Sequence, residues 1–214
     1  MTSRSALPKR YIEIVEHYEA CLARYGDTHL GVDWPKAQDA ETRYRVMLEL
    51  IPTRRPSTVK LLDFGCGTSH LYEHIVASGA TGIEYVGLDL SAKFVEVSRK
   101  KFPKNHYVCA DILEVPEAVP TSDYIVMNGV FTEKRGLTFD EMLAYFERTL
   151  SAGFAKADRG IAFNVMSKHV DWEREDLFHL PFDTLARFLI RSLTRNFVIR
   201  NDYGLYEYTT YVYR

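Results

Sequence analysis

The stretch LLDFGCGTSHLYEHI (residues 61–75) decides how the rest of the chain is read. Leu61, Leu62, Asp63 and Phe64 suit a buried strand, Gly65-Cys66-Gly67 interrupts it, and the residues from Leu71 onward have helical spacing. Two glycines around one small residue permit a tight turn and let the backbone come close to a ligand. The helix behind them offers unpaired N–H groups at its first turn. A pyrophosphate-binding dinucleotide loop has this form, but its fingerprint needs a third glycine at position 70, and this chain has His70 there. The bend alone therefore leaves the ligand open.

On either side of the bend the period of the apolar residues alternates. Strands are expected at 59–64, 83–89, 106–110, 123–127, 160–165, 197–201 and 206–213. Helices are expected at 71–78, at 92–102 behind a Ser91 cap, behind a Thr138–Glu141 capping box, and at 181–193. This order implies a mostly parallel sheet with helices on both faces. The last two strands are joined by Asp202-Tyr203-Gly204, too short for a crossover, and should form an antiparallel hairpin. Two earlier helices, at 7–25 and from Pro35 to 51, stand outside the alternation. They are expected to cap the carboxyl edge of the sheet, where ligands bind in such folds. A basic, Pro-containing linker, residues 53–58, follows them. The 214 residues are read as a single domain, 1–55 the helical cap and 56–214 the core.

Composition narrows the function. With 46% hydrophobic residues and a net charge of −2, the chain can bury a core but has no basic excess for nucleic acid or an anionic membrane. Cys21, Cys66 and Cys109 lack paired spacing and read as free thiols in a reducing cytoplasm. Met1-Thr2-Ser3-Arg4 opens no apolar leader, and no run approaches the ~20 residues of a membrane helix.

The strand tips sharpen the ligand. Asp89, in VGLDLS, stands at the second tip, about 20 residues beyond the glycines, where a carboxylate accepts from both ribose hydroxyls; Leu90 follows it. At the third tip, Asp111 suits an adenine amino group and Ile112 its ring. At the fourth, DYIVMNGVF places Asn128 and Gly129.

LLDFGCGTSHL, VGLDLS, ADI and DYIVMNGVF, in this order and spacing, resemble the class I S-adenosylmethionine-dependent methyltransferases over residues 59–214. The resemblance implies a Rossmann-like seven-stranded sheet whose strand tips carry the cofactor, S-adenosyl-L-methionine. The flanks look like a narrower group of bacterial enzymes, many without an assigned substrate. Its pattern is matched by Trp34 with Arg43-Tyr44, by Ala162-Phe163-Asn164 with Ser167 and Asp171, and by Asp202-Tyr203 with Glu207-Tyr208-Thr209. One departure is Thr132-Glu133-Lys134, where the group has a small residue or Asn.

By that resemblance Gly65, Cys66 and Gly67 wrap the methionine part of the cofactor, and Asp63 orders the loop or receives the amino group. Arg43 is a candidate for the methionine carboxylate, or a solvated arginine in ETRYR; Trp34 roofs the cofactor or anchors a loop. A hydroxyl acceptor needs a base beside the methyl. His169 and Asp171, past the fifth strand, are the catalytic candidates, with His179, Glu133 and Tyr203 next; His70 and His74 read as structural or exposed. No metal-ligand spacing is evident, so metal-independent transfer is expected. The expected acceptor is a hydroxyl or amine of a small molecule, with a sugar or glycan precursor or a secondary metabolite preferred. The alternatives are a non-enzymatic cofactor-binding or regulatory protein and a protein or nucleic-acid methyltransferase. The absence of an NPPY-type tetrad after the fourth strand argues against base amino groups.

Overall fold

The computed structural model describes residues 9–54 and 57–214. Residues 7 and 8 of the first expected helix, residues 55 and 56 of the linker and the Met1–Arg4 reading fall outside it.

Seven strands form one sheet: β1 (Val59–Phe64), β2 (Ile83–Asp89), β3 (His106–Cys109), β4 (Ser122–Met127), β5 (Ala157–Met166), β6 (Phe197–Arg200) and β7 (Glu207–Tyr213). Their order is β3-β2-β1-β4-β5-β7-β6. All neighbouring pairs are parallel except those of β7, which runs antiparallel to β5 and β6. The strand order reverses between β1 and β4, and the crevice at such a reversal is where open α/β sheets bind ligands.

The helices are α1 (Ile12–Tyr25), α2 (Ala37–Leu48), α3 (His70–Ala77), α4 (Ala92–Lys101), α5 (Phe139–Lys156) and α6 (Phe182–Ser192). Ser91 caps α4, and Thr138 and Glu141 close the expected capping box at α5. The period of two along the strands sorts the core. Leu62, Phe64, Ile125, Met127, Ile161 and Phe163 face α1, α5 and α6, whereas Leu61, Tyr124, Val126 and Ala162 face α2 and α3. The two N-terminal helices are thus not one lid: they lie on opposite faces and bracket the strand tips between them. A 3-10 turn, His29–Val32, joins them. β5 begins three residues earlier than its apolar run: buried Ala157 pairs with Ser122, and exposed Asp158 and Arg159 follow at the register shift before Gly160.

Candidate functional site

The bend after β1 is held from below. Gly65 and Gly67 have φ of +75° and +53°, a region closed to most side chains. The N–H groups of Gly65 and Cys66 both donate to Leu88 O, at 2.7 and 3.0 Å. Beneath the loop runs a buried polar chain. Tyr85 OH donates to Asp63 Oδ2 (2.7 Å), Ser69 Oγ donates to Tyr107 OH (3.0 Å), and Ser98 Oγ donates to Gly67 O (2.8 Å). Asp89 accepts from Gly67 N through Oδ2 and from Ser91 N through Oδ1, both at 2.9 Å.

These carboxylates open into a cavity at the β1/β4 reversal. Its walls include Asp63, Gly65, Cys66, Gly67, Asp89 and Leu90 below, Asn128 and Gly129 beside, and Tyr11, Tyr18 and Trp34 above. Asp63 is 2% exposed, and burial, aided by the Asp89 charge, pushes its carboxyl up to about 7 against the Tyr85 hydrogen bond. Burial raises Asp89 to about 6, while the N–H groups of Ser91, Gly67 and Leu90 hold it down. Neither has an ion-pair partner among the described residues. Asn128 Oδ1 is buried in the same region without a hydrogen-bond donor.

The other side of the cavity is compensated. Gly129 N donates to Asn164 Oδ1 (2.7 Å), Asn164 Nδ2 to Glu207 Oε1 (2.8 Å), and Arg43 Nε to Glu207 Oε2 (2.8 Å). The Arg43 guanidinium lies 4.0 Å from the Trp34 ring centroid. A Cβ on Gly129, whose φ is +80°, would come within 2.7 Å of that ring, so only glycine lets Trp34 seat there. Arg43 is therefore no solvated arginine: it is a buried scaffold cation and does not line the cavity, although its Nη1 is buried without a partner. Trp34 does line it.

Other expected residues are placed elsewhere. Asp111 accepts from Tyr11 OH (2.6 Å) and Leu113 N (2.9 Å), and neither it nor Ile112, buried in the core, lines the cavity. His169 and Asp171 do not reach it either. Beyond Met166 the chain folds back, with Leu180 N donating to Met166 O, and this carries the loop toward α6 and β7. There the His169 ring stacks on Phe182 and Asp171 accepts from Tyr206 OH at 3.2 Å. His179 uses both ring nitrogens on backbone groups of Ser167 and Arg174, and Tyr203 pairs with Thr209. Glu133, buried beside Arg135, also lies outside the lining. His70, read as structural, lines the cavity while pairing with Asp27 at 2.9 Å, and burial lowers its pKa. His74 stays off the lining and packs against Tyr44.

Two groups were missing from the sequence reading. Tyr11, Tyr18 and Tyr145 form the aromatic wall; the i, i+3, i+4, i+7 set Tyr11, Ile14, Val15, Tyr18 carries that signal but reads equally as core. The second is His17, Cys21 and Asp33, three residues of metal-ligating type whose donor atoms the fold brings together. The His17-x3-Cys21 spacing is one helical turn; Asp33 comes from a loop and has no spacing signature.

Residues 62–153 match the family model described as a methyltransferase domain. A Mycobacterium tuberculosis protein named as a methyltransferase is 28% identical over 155 residues, covering 70% of this chain and 90% of its own. An Oceanobacillus iheyensis methyltransferase of uncharacterised role is 25% identical over 119 residues, 56% of this chain and 53% of its own. The fold superposes on the S-adenosylmethionine-bound magnesium protoporphyrin IX methyltransferase of Synechocystis, with a TM-score of 0.66 at 15% identity over 99% of this chain and 100% of that one. Human N-acetylserotonin methyltransferase, solved with the same cofactor, gives 0.61 at 13% identity over 100% of this chain and 60% of that one. With a glycine bend and two uncompensated carboxylates at the reversal of a seven-stranded sheet, residues 62–153 carry a methyltransferase domain, and the fold is the one shared by solved S-adenosylmethionine-dependent methyltransferases.

Proposed function

We propose that this enzyme methylates a hydroxyl or amine of a small molecule, working as one domain and without a metal in the transfer step. The observation that carries the reading is the cavity's aromatic roof. Tyr11, Tyr18, Trp34 and Tyr44 cover the strand tips, so an acceptor must fit beneath side chains rather than lie in an open groove. The net charge of −2 gives no counter-field for a nucleic-acid backbone.

The residues present fit the cofactor. Its ammonium and sulfonium are positive, and Asp63 and Asp89 supply negative charge without cation partners. Asp63 and the orphan Asn128 Oδ1 are assigned to the ammonium, and Asp89 to the ribose hydroxyls; Arg43, off the lining and held by Glu207, is left to the scaffold. Asp111 takes the adenine amino group only if it shares or releases the Tyr11 hydroxyl. Bound S-adenosylmethionine supplies a methyl group already activated by its sulfonium, leaving a neutral thioether that needs no acid. What remains for the chain is positioning. Tyr18 OH donates to Gly129 O at 3.4 Å, and burial keeps its phenol well above the ordinary value, so it stays protonated and ties α1 to the fourth strand tip as a fixed wall for the acceptor.

Incubation with labelled cofactor and separate panels of small hydroxyl compounds, small amines, protein and nucleic acid tests the reading. Transfer to a small-molecule panel is expected. Transfer to polymer alone, or cofactor binding with no transfer to any panel, overturns it.

A further inference from the structure

The cluster behind Tyr18 has the form of a chelate. His17 and Cys21 project from successive turns of α1, and Asp33 closes the 3-10 turn with a left-handed φ of +57°. His17 Nε2 lies 2.8 Å from Asp33 Oδ2 and 3.8 Å from Cys21 Sγ, and one donor atom from each residue falls within 4.8 Å of the others.

The identity of the ring nitrogen separates two chemistries. In a nucleophile relay, thiol and carboxylate occupy opposite nitrogens of the imidazole, so that a proton passes through the ring. Here both face Nε2. A relay is not wired; three electron-pair donors converge on one region. Tetrahedral coordination at ordinary bond lengths separates imidazole nitrogen from carboxylate oxygen by about 3.4 Å and from sulfur by about 3.6 Å. The observed separations differ from these by about 0.6 Å for oxygen and about 0.2 Å for sulfur, within the reach of side-chain rotation.

We propose that His17 Nε2, Cys21 Sγ and an Asp33 carboxylate oxygen form a three-ligand site for a divalent thiophilic cation of the zinc class. A thiolate with an imidazole selects against magnesium and calcium, and thiolate plus carboxylate neutralise a dication. The buried Glu133 adds negative field at His17 and Cys21, while Arg135, 3.3 Å from Glu133, and Arg24 oppose it. His17 is 19% and Asp33 37% exposed, so an ion can enter and water can hold the fourth position.

The site's place gives it a role. The neighbouring residues Ile14, Val15 and Tyr18 of α1, and Val32 and Trp34 flanking Asp33, line the cavity. A cation joining His17, Cys21 and Asp33 staples α1 to the 29–34 segment and fixes the roof over the strand tips. It acts on the roof's rigidity and not on the transferred methyl, so it stands independently of the acceptor's identity.

Cobalt(II) titration of the metal-free protein, followed by its thiolate charge-transfer absorption, is the direct test. One equivalent should saturate the band, and zinc should displace it. The band should vanish in Cys21→Ser and persist in Cys109→Ser. Asp33→Asn should weaken metal affinity by more than about tenfold, because even changes outside the ligand set cost that much. The thermal midpoint should rise with zinc in the wild type and not in Cys21→Ser. A band that survives Cys21→Ser, or no saturable binding to the folded wild type, overturns the site. Circular dichroism of each variant separates lost binding from lost fold, and Asp33→Asn alone decides if Cys21→Ser fails to fold.

Discussion

Two strand-tip regions of this molecule hold buried carboxylates and treat them in opposite ways. On the β1/β2 side, Asp63 and Asp89 sit in the cavity without cation partners, and burial raises both. On the β5/β7 side, Glu207 is 1% exposed but paired with Arg43, itself 10% exposed, and with Asn164. Burying an unpaired charge is costly, so a chain retains one where something else supplies the opposite charge. On the proposed reading, the compensated tip is scaffold and the uncompensated tip is the socket for the cationic cofactor. Exposure alone does not tell them apart. The difference lies in the partners.

The largest effect should come from breaking the compensated side. Glu207→Leu leaves a buried guanidinium unpaired and should cost about 3–5 kcal/mol in urea unfolding. The double variant Arg43→Met, Glu207→Leu should recover most of that loss. If it does not, the pair is more than charge compensation. On the open side, Asp89→Ala should weaken S-adenosylmethionine binding by about 1.5–3 kcal/mol, the scale of charge-assisted hydrogen bonds. Asp89→Asn, which keeps an acceptor for Gly67 N, separates ligand contact from loop support. Unchanged calorimetric affinity in both would remove Asp89 from the ligand.

The pH dependence sharpens the contrast, because its sign differs between free and bound protein. Asp63 has a folded pKa of about 7, above the unfolded value. Its contribution to the free protein's stability is full at low pH and is lost as pH rises toward and through 7. A cationic ligand prefers the ionised form, so cofactor affinity should run the other way and fall by about tenfold per unit below pH 7. Asp63→Asn should flatten both slopes. Calorimetry and unfolding at pH 6 and 8 measure them, and parallel slopes would contradict the socket. The smallest effect is expected at the displaced loop. His169→Ala and Asp171→Ala should leave turnover far above the 10²–10⁴-fold loss of a positioned base. A fall of that size would mean the loop swings to the cavity.

The strand limits, the glycine bend and the two open carboxylates were legible because each is local: a period, a φ requirement, a charge at a strand tip. Asn164 and Glu207 stood out in the sequence as parts of a pattern without a role. Their meeting with Arg43 depends on the β5–β7 register, which pairs Asn164 with Thr209 and Met166 with Glu207. No spacing encodes that. His169 and Asp171 misled for the same reason. Their position past a parallel strand suggested the tip, but the fold-back at Met166 and Leu180 is a tertiary event. α1 and α2 were visible as amphipathic helices, yet nothing in their period says that they take opposite faces of the sheet.

The Arg43–Glu207 pair spans 164 residues of sequence. A chain elongating at about 5–20 residues per second carries Arg43 for roughly 10–30 seconds before Glu207 is made. Throughout that interval α2 cannot settle on the sheet without burying a bare cation, and β5 lacks the antiparallel neighbour that completes its edge. α2 is thereby kept waiting for the last strand. The bracket around the strand tips closes only when the sheet beneath it is complete.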